Sequence, residues 1–356
     1  MNESPLRPFP PAEAVVVHGA ERYNSWPMIQ AVGRRLICAY SRGSAHTVDE
    51  GARGVFSRVS DDLGATWSDE ICVCNDPEWG QVTVGKGLDP DGAMLLWVRN
   101  CPDGQGWGPG THHDLWRTTD GLSWEKISSP QLSPNPIQIT DIFLVASRKS
   151  KAKRLELELK TRNSELATLM CLWFAGTYAP EAADKSWGVL TSADGGRTWA
   201  QRTVESGLPR AEWPTEPCGV WLDNARILVV ARSEGAPYQF QITSENGGAT
   251  WTRAKTNIAD VSASTPSLIF DPESGRVFNY YYQRGARLLK RRVADVAGIF
   301  ANPTGWPEPE VLAEGFEERP WDAGNVNVTA LGNRHFAATY TGTKTDAAVV
   351  VVSAHL

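Results

Sequence analysis

The stretch SADGGRTW, residues Ser192–Trp199, has the composition of a tight turn between two antiparallel strands. Asp194 can accept backbone N–H groups inside such a turn, and glycine supplies the positive φ that a sharp reversal needs. Trp199 follows as a large apolar side chain that can anchor the turn to a core. The stretch therefore predicts a β-hairpin whose end is held in place by a tryptophan.

Variants of this pattern return along the chain. They are SDDLGATW at Ser60–Trp67, a shortened TTDGLSW at Thr118–Trp124, and SENGGATW at Ser244–Trp251, in which asparagine replaces the aspartate. A motif that recurs in this way is typical of a repeat architecture. Alternating apolar and polar residues between the copies predict short antiparallel strands throughout.

Composition limits the classes of partner. The chain has 356 residues, 41% of them hydrophobic and 21% charged, and its net charge of −6 argues against nucleic acid or an anionic membrane surface as a partner. Met1–Pro11 is polar, and no run is long enough to span a membrane, so we expect a cytoplasmic location or release without a classical signal peptide. The six cysteines show neither metal nor disulfide spacing, and we expect no metal and no cofactor.

The four copies match the Asp-box motif, and the chain resembles the sialidase superfamily of BNR-repeat β-propellers. The resemblance implies an all-β fold, a six-bladed β-propeller of four-stranded antiparallel blades. Each Asp-box then joins the third and fourth strands of a blade, on the face opposite the active site. The functional face collects the loops between second and third strands and the connections between blades.

The domain organisation follows from this resemblance. Residues 1–12 are an N-terminal extension, and residues 13–356 form a single propeller. Ala14–His18 is an apolar strand that we expect to close the ring by pairing with the C-terminal blade. Residues 147–166 are a charged insertion in blade three, in which leucine and glutamate alternate, so a protruding hairpin is favoured over a helix.

The resemblance also implies a set of site residues. Members of the superfamily bind the substrate carboxylate with arginines, because a planar guanidinium pairs with it through two hydrogen bonds. They attack with a tyrosine that a glutamate activates, and an aspartate serves as acid/base. In this sequence Glu216 matches the glutamate and Arg232 one arginine, with a structural ion pair between them as the alternative. A further arginine is Arg284 or Arg287.

Two predicted loops on the functional face add candidates. In blade one, Asp49 resembles the acid/base aspartate, and Glu50 and His46 share its loop as alternatives. Arg42 begins the same loop and is a candidate substrate contact. Trp107, in the corresponding loop of blade two, is a candidate stacking platform for a sugar, with packing between blades as the alternative.

Two departures from the superfamily pattern affect the mechanism. Where the family has an Arg-Ile-Pro motif, this chain has Ser25-Trp26-Pro27, with Arg22 just upstream as a substitute. The tyrosine that should enter blade six is absent from Asp322–Asn327.

Other residues are candidates for the missing role. Tyr340, Tyr282 or Tyr23 can supply a tyrosine from elsewhere in the fold, although packing at a strand end also explains them. Without a tyrosine, an inverting hydrolysis in which Glu216 or Asp322 activates water fits the remaining residues.

These observations predict a sialidase-like glycoside hydrolase that cleaves a terminal acidic sugar, sialic acid or a related nonulosonic or uronic acid, from a glycan. One alternative is a non-catalytic propeller that binds such a glycan. A second is a polysaccharide lyase acting on a uronate-containing glycan, with His112 or His113 as base. Adjacent strand residues point to opposite faces, so at most one of these histidines can serve.

Overall fold

The computed structural model describes residues 15–17, 22–46, 53–102, 106–108, 110–146, 167–223, 225–261 and 264–355. Asp49, Glu50, the N-terminal extension and the insertion at 147–166 lie outside these residues, so the predictions made for them stay predictions. Strands dominate the described part of the chain, as the sequence predicts, and the helix there that has α geometry is α1 (Val296–Ala301). No helix in the described ranges is long and apolar enough to cross a membrane.

The strands follow one another in chain order as short antiparallel groups. The first group contains β1 (Val15–Val17), β2 (Tyr23–Val32), β3 (Arg35–Gly43), β4 (Gly54–Ser60) and β5 (Ile71–Cys74). The second contains β6 (Trp79–Leu88), β7 (Met94–Pro102), β8 (His112–Thr118) and β9 (Glu125–Ser128). The third contains β10 (Gln138–Ile139), β11 (Phe143–Ala146), β12 (Ala167–Ala175), β13 (Ser186–Ser192) and β14 (Ala200–Ser206).

The second half of the chain repeats this arrangement. The fourth group contains β15 (Pro214–Asp223), β16 (Arg226–Ser233), β17 (Gln239–Ser244) and β18 (Thr252–Lys255). The fifth contains β19 (Ser267–Asp271), β20 (Arg276–Gln283), β21 (Leu288–Asp295) and β22 (Glu310–Glu314). The last contains β23 (Ala323–Leu331), β24 (Arg334–Gly342) and β25 (Ala347–His355).

Hydrogen bonding joins these groups into five sheets. Four of the sheets follow a path of four strands: β6 to β9, β10-β12-β13-β14 with β11 also on β12, β15 to β18, and β19 to β22. The fifth has eight strands, because β25 pairs in parallel with β2 between Ala347 and Tyr23 and so merges the last group with the first. The described residues therefore form four separate four-stranded blades, where the sequence predicts six.

The sheets close into a ring, which is the arrangement of a β-propeller. β2 contacts β6, β11 contacts both β6 and β15, β15 contacts β19, and β19 contacts β23, which returns to β2. The predicted closing strand is confirmed, since Val15 and Val17 of β1 pair antiparallel with β25. The N-terminal and C-terminal parts of the described chain are thus joined in one sheet.

The repeated octapeptides form the turns that the sequence predicts. In Ser192–Trp199, the Asp194 carboxylate accepts the backbone N–H of Thr198 at 2.9 Å and its hydroxyl at 2.6 Å. The Ser192 hydroxyl accepts the N–H of Gly196, whose φ of 92° suits glycine. Three copies connect the third and fourth strands along the path of their sheets, as expected, and the copy at Ser60–Trp67 connects β4 and β5, the last two strands of the eight-stranded sheet.

The tryptophans of these turns pack one sheet against the preceding one. The ring of Trp199 lies 5.2 Å from that of Trp97 on β7, and the ring of Trp251 lies 6.0 Å from that of Trp187 on β13. Buried apolar side chains of the described residues group into six clusters, which lie between successive groups of strands. The repeat therefore supplies both the turn and the contact that holds neighbouring sheets together.

Candidate functional site

Three of the innermost strands share a backbone irregularity. β2, β15 and β23 each carry an extra residue between two registered pairs, which makes a β-bulge. At these bulges Trp26, Glu216 and Asn325 have φ values of 49°, 48° and 50°. Left-handed conformations of this kind cost non-glycine residues on the order of 1–3 kcal/mol and cluster at functional sites. The three side chains are therefore candidates for function on backbone geometry alone.

All three bulge residues line one cavity at the centre of the ring. Its volume is about 130 Å³, or about 700 Å³ with the open space at its mouth. Its other polar lining side chains include Arg99 of β7, Gln138 and Thr140. Tyr178 and Asp141 also border it. A space of this size takes part of one sugar ring, while the rest of a glycan remains outside.

Glu216 belongs to a chain of alternating charges that leads away from the cavity. Its Oε2 accepts a hydrogen bond from Arg232 Nη1 at 3.1 Å, and Arg232 Nη2 lies 2.8 Å from Glu234 Oε2. Arg210 follows, 3.6 Å from the other oxygen of Glu234. Burial raises the pKa of Glu234. The structure confirms that Glu216 and Arg232 are neighbours, but it makes Arg232 the bridge between two glutamates and leaves it little capacity for a substrate carboxylate.

Arg99 is a functional candidate that the sequence analysis missed. Its Nη1 donates to the carbonyl of Ile137 at 2.9 Å, and no described carboxylate lies within ion-pair distance of it. The signal was present, since Arg99 lies near the end of the second strand of its sheet, as Arg232 does. Tyr178, which is 48% exposed, lines the same cavity, and its phenol is an O–H donor at neutral pH because tyrosine ionises only near pH ~10.

The floor of the cavity contains a second compensated charge. Asp141 lies 3.6 Å from the Nζ of Lys86 and accepts hydrogen bonds from the Asn327 amide and the Lys86 backbone. Lys86 is buried, and its Nζ also donates to the carbonyl of Val328 at 3.0 Å. This group ties β6, the β10–β11 connection and β23 together at the centre of the ring.

The structure distinguishes Arg284 from Arg287, the two alternatives for a further substrate-binding arginine. Arg284 is buried, and it donates to Asn325 Oδ1 at 3.1 Å and to the carbonyl of Ala323 at 2.8 Å. Gly324 makes room for it, because a side chain at this position would meet the guanidinium at 2.9 Å. Arg287 is exposed in the turn after β20. Arg284 therefore positions Asn325, and Arg287 is not brought to the cavity.

A cluster of aromatic and polar side chains lies behind Trp26. The Tyr23 hydroxyl lies 3.3 Å from Nδ1 of His46 and donates to Asp322 at 3.1 Å. The Tyr340 hydroxyl donates to the carbonyl of Trp321 and lies 3.4 Å from the same histidine nitrogen. Burial, followed by the charge of Arg284, lowers the pKa of His46 to about 4.

This cluster contains two of the predicted catalytic residues, and both have partners within the protein. Asp322 is fully buried and ion-paired with Arg319 at 2.6 Å, so it has no open face for a water or a sugar. Tyr340 is also buried, and burial raises its pKa, which opposes formation of a nucleophilic phenolate. The Tyr282 hydroxyl also has a partner inside the protein, since it donates to buried Glu317 at 2.6 Å. None of these three residues lines the described part of the cavity.

Three other predicted substrate contacts also lie away from the cavity. The Arg42 guanidinium pairs with Glu70 through two nitrogens and donates to Asn24, which is a structural role. Trp107 is half-buried between two apolar clusters, with its indole N–H on the carbonyl of Pro136, so the packing alternative applies to it. Arg22 is exposed just before β2.

Neither histidine of the lyase alternative lines the described part of the cavity. His113 is buried on β8, and burial followed by the charge of Arg99 lowers its pKa to about 3. His112 lies 3.9 Å from Asp114, with its ring edge-on to Trp79 at 4.6 Å. Among the described residues, no group of three or more His, Cys, Asp or Glu side chains is placed to bind a metal ion.

A closed ring of antiparallel sheets, with Asp-box turns on one side and a central cavity containing a glutamate–arginine pair, defines a β-propeller of the sialidase superfamily. The chain belongs to the BNR repeat-like domain family, whose model matches residues 33–316. A search of curated proteins found no match.

Solved structures resemble this fold at low sequence identity. A protein of unknown function from Dyadobacter fermentans is 17% identical, with a TM-score of 0.71 over 95% of this chain and 97% of that one. A variant of the NanB sialidase from Streptococcus pneumoniae is 12% identical, with a TM-score of 0.69 over 97% of this chain and 70% of that one. The intramolecular trans-sialidase from Ruminococcus gnavus is 10% identical, with a TM-score of 0.67 over 97% and 98%. These similarities establish the fold, whereas the activity has to be inferred from the residues of the site.

Proposed function

We propose that this protein is a glycoside hydrolase of the sialidase type that releases a terminal acidic sugar from a glycan, with Glu216 as the general base. The observation that carries the proposal is the convergence of three strained bulge residues, Trp26, Glu216 and Asn325, on one central cavity. Of the three, Glu216 is the residue type that the family uses at this point. Its ion pair with Arg232 holds the carboxylate in a fixed orientation at the cavity wall.

Glu216 acts on water in this proposal. Arg232 occupies Oε2 of the carboxylate, and no hydrogen bond from a described residue occupies Oε1. Asn325, which has no nucleophilic group, stands on the stretch where the family has its tyrosine. Glu216 then takes a proton from water, the water oxygen bonds to the anomeric carbon, and the bond to the leaving oxygen breaks as an acid protonates it. Asp49 remains the proposed acid.

The test compares Glu216→Gln with the wild type on fluorogenic glycosides of sialic acid and of uronic acids. The amide is nearly isosteric but takes no proton at neutral pH, so turnover should fall about 10²- to 10⁴-fold. Glu125→Gln, at a side chain that is 64% exposed, removes the same charge and should leave turnover unchanged. Undiminished turnover in Glu216→Gln would refute the assignment of the base.

A glycan-binding propeller without catalysis is the second candidate. Ser25 stands where the Arg-Ile-Pro motif of the family has its arginine, and Asp322–Asn327 contains no tyrosine, so both departures favour this candidate. Saturable binding of acidic sugars with no turnover of any glycoside in the panel would select it.

We also infer that the eight-stranded sheet represents two blades of a six-bladed ring. The six apolar clusters of the described residues support this interpretation, because a ring of six blades has six interfaces. In this interpretation β1 is the fourth strand of the last blade.

A further inference from the structure

The charges around the central cavity do not balance. Its charged lining residues in the described part of the chain are Arg99, Asp141 and Glu216. Lys86 lies beside Asp141, and Arg232 pairs with Glu216, so both carboxylates have a cation next to them. Arg99 has no corresponding carboxylate among the described residues, which leaves one uncompensated positive charge at the cavity wall.

The surroundings of Arg99 favour an anionic ligand. The side chain is partly buried at the cavity wall, and its hydrogen bond to a described residue runs from Nη1 to the carbonyl of Ile137. A carboxylate accepts two parallel hydrogen bonds from a guanidinium, which makes it the anion that fits best. The Tyr178 phenol, at the same cavity, is a second donor.

A flat apolar surface lies at another wall of this cavity. The Trp26 ring contacts the Arg53 guanidinium, 4.8 Å from the ring centroid, and the His46 ring, whose centroid is 5.5 Å away. It is partly exposed and lines the cavity. Because its neighbours and the bulge fix its position, little entropy is lost when a ligand packs on it.

We propose that Arg99 and Tyr178 bind the carboxylate of the sugar while Trp26 supports its ring. The inference rests on the proposed function for the nature of the ligand. It assigns to this chain an anion site formed by β7 and the connection between β12 and β13, instead of by an arginine on β2 as in the family. The substrate class is then a pyranose with one carboxylate and an apolar ring face.

Equilibrium binding tests the assignment without any need for turnover. Isothermal titration calorimetry with N-acetylneuraminic acid, glucuronic acid and galacturonic acid, up to about 10 mM, is compared with the uncharged amides of the same sugars. At least one acid should bind the wild type, and its amide should bind about 10- to 100-fold more weakly, the range for a hydrogen bond to a charged group. Equal binding of acid and amide, or no binding of any acid, would overturn the proposal.

Variants locate the site. Arg99→Met should remove the preference for acid over amide, and Arg99→Lys should keep part of it, because lysine retains the charge without the planar pair of donors. Arg197→Met removes an exposed arginine on the Asp-box face and should bind like the wild type. Trp26→Ala should weaken the acid and its amide by the same factor. An acid preference that survives in folded Arg99→Met would refute the site, whereas binding without turnover would refute only the hydrolase.

Discussion

Replacing Arg232 by methionine removes the cation between two enclosed glutamates. The side chains of Arg232, Glu216 and Glu234 are 14%, 13% and 6% exposed, so water screens them poorly. Removing one partner from a buried ion pair costs about 3–5 kcal/mol, because the other charge stays buried and unpaired. At pH 7 we expect a loss in the free energy of unfolding within this range.

The loss should depend on pH. Burial already raises the pKa of Glu234, whereas Arg232 lowers it, so the pKa rises further once the arginine is gone. A carboxyl group whose pKa is higher in the folded state than in the unfolded state destabilises the fold least when it is protonated. It lowers the free energy of unfolding as the pH rises through the folded pKa. The variant should therefore lie closest to the wild type near pH 4.5 and farthest from it at neutral pH.

Urea unfolding of wild type and Arg232→Met at pH 4.5 and 7.5 measures both quantities. Arg226→Met is the control, since its ion pair with Asp223 is exposed, and it should cost less than about 1 kcal/mol at either pH. A loss below 1 kcal/mol at neutral pH, or the same loss at both pH values, would refute the argument that the trio is buried and coupled.

Three further predictions concern the scaffold. Asp194→Ala should lower the free energy of unfolding by about 1–3 kcal/mol, as measured in urea, whereas Asp194→Asn should cost much less, since Asn246 makes the same backbone bond to Thr250 at 2.8 Å. The free energy of unfolding of the wild type should fall as pH drops from about 6.5 to 4. Burial lowers the pKa of His46 and of His335 to about 4, so these histidines take up protons at a higher pH in the unfolded chain than in the folded one. A free energy of unfolding that stays constant over this range would contradict the prediction. Tyr340→Phe should leave turnover within about twofold of wild type and lower the melting temperature, and a large loss of turnover without a loss of stability would return this residue to the mechanism.

Much of the fold was predictable because its signals are local. The turn at Ser192–Trp199 and its copies depend on side chains within eight residues of one another, and the structure places each copy between the expected strands. The pairing of β1 with β25 was also predictable, from an apolar segment at the start of the chain. The merged eight-stranded sheet was not, since it depends on a single parallel pair between Tyr23 and Ala347, which are far apart in sequence.

The candidate site was harder to predict because its geometry depends on register. The glutamate–arginine pair of Glu216 and Arg232 was found from the spacing around one strand pair. The equivalence of Trp26, Glu216 and Asn325 appears only when the bulges on three different strands are compared. The strand position of Arg99 resembles that of Arg232, but a strand position alone does not single out one arginine, and the lack of a carboxylate near it among the described residues is visible only in the structure.

The configuration of the released sugar tests the central claim most directly. Proton NMR of the wild-type reaction, recorded before the sugar mutarotates, shows which anomer forms first. Attack by a Glu216-activated water is a single displacement and predicts an inverted anomer, with no glycosyl-enzyme detected by mass spectrometry. Initial release of the retained anomer, or a covalent adduct on any tyrosine, would contradict the account and restore a double displacement.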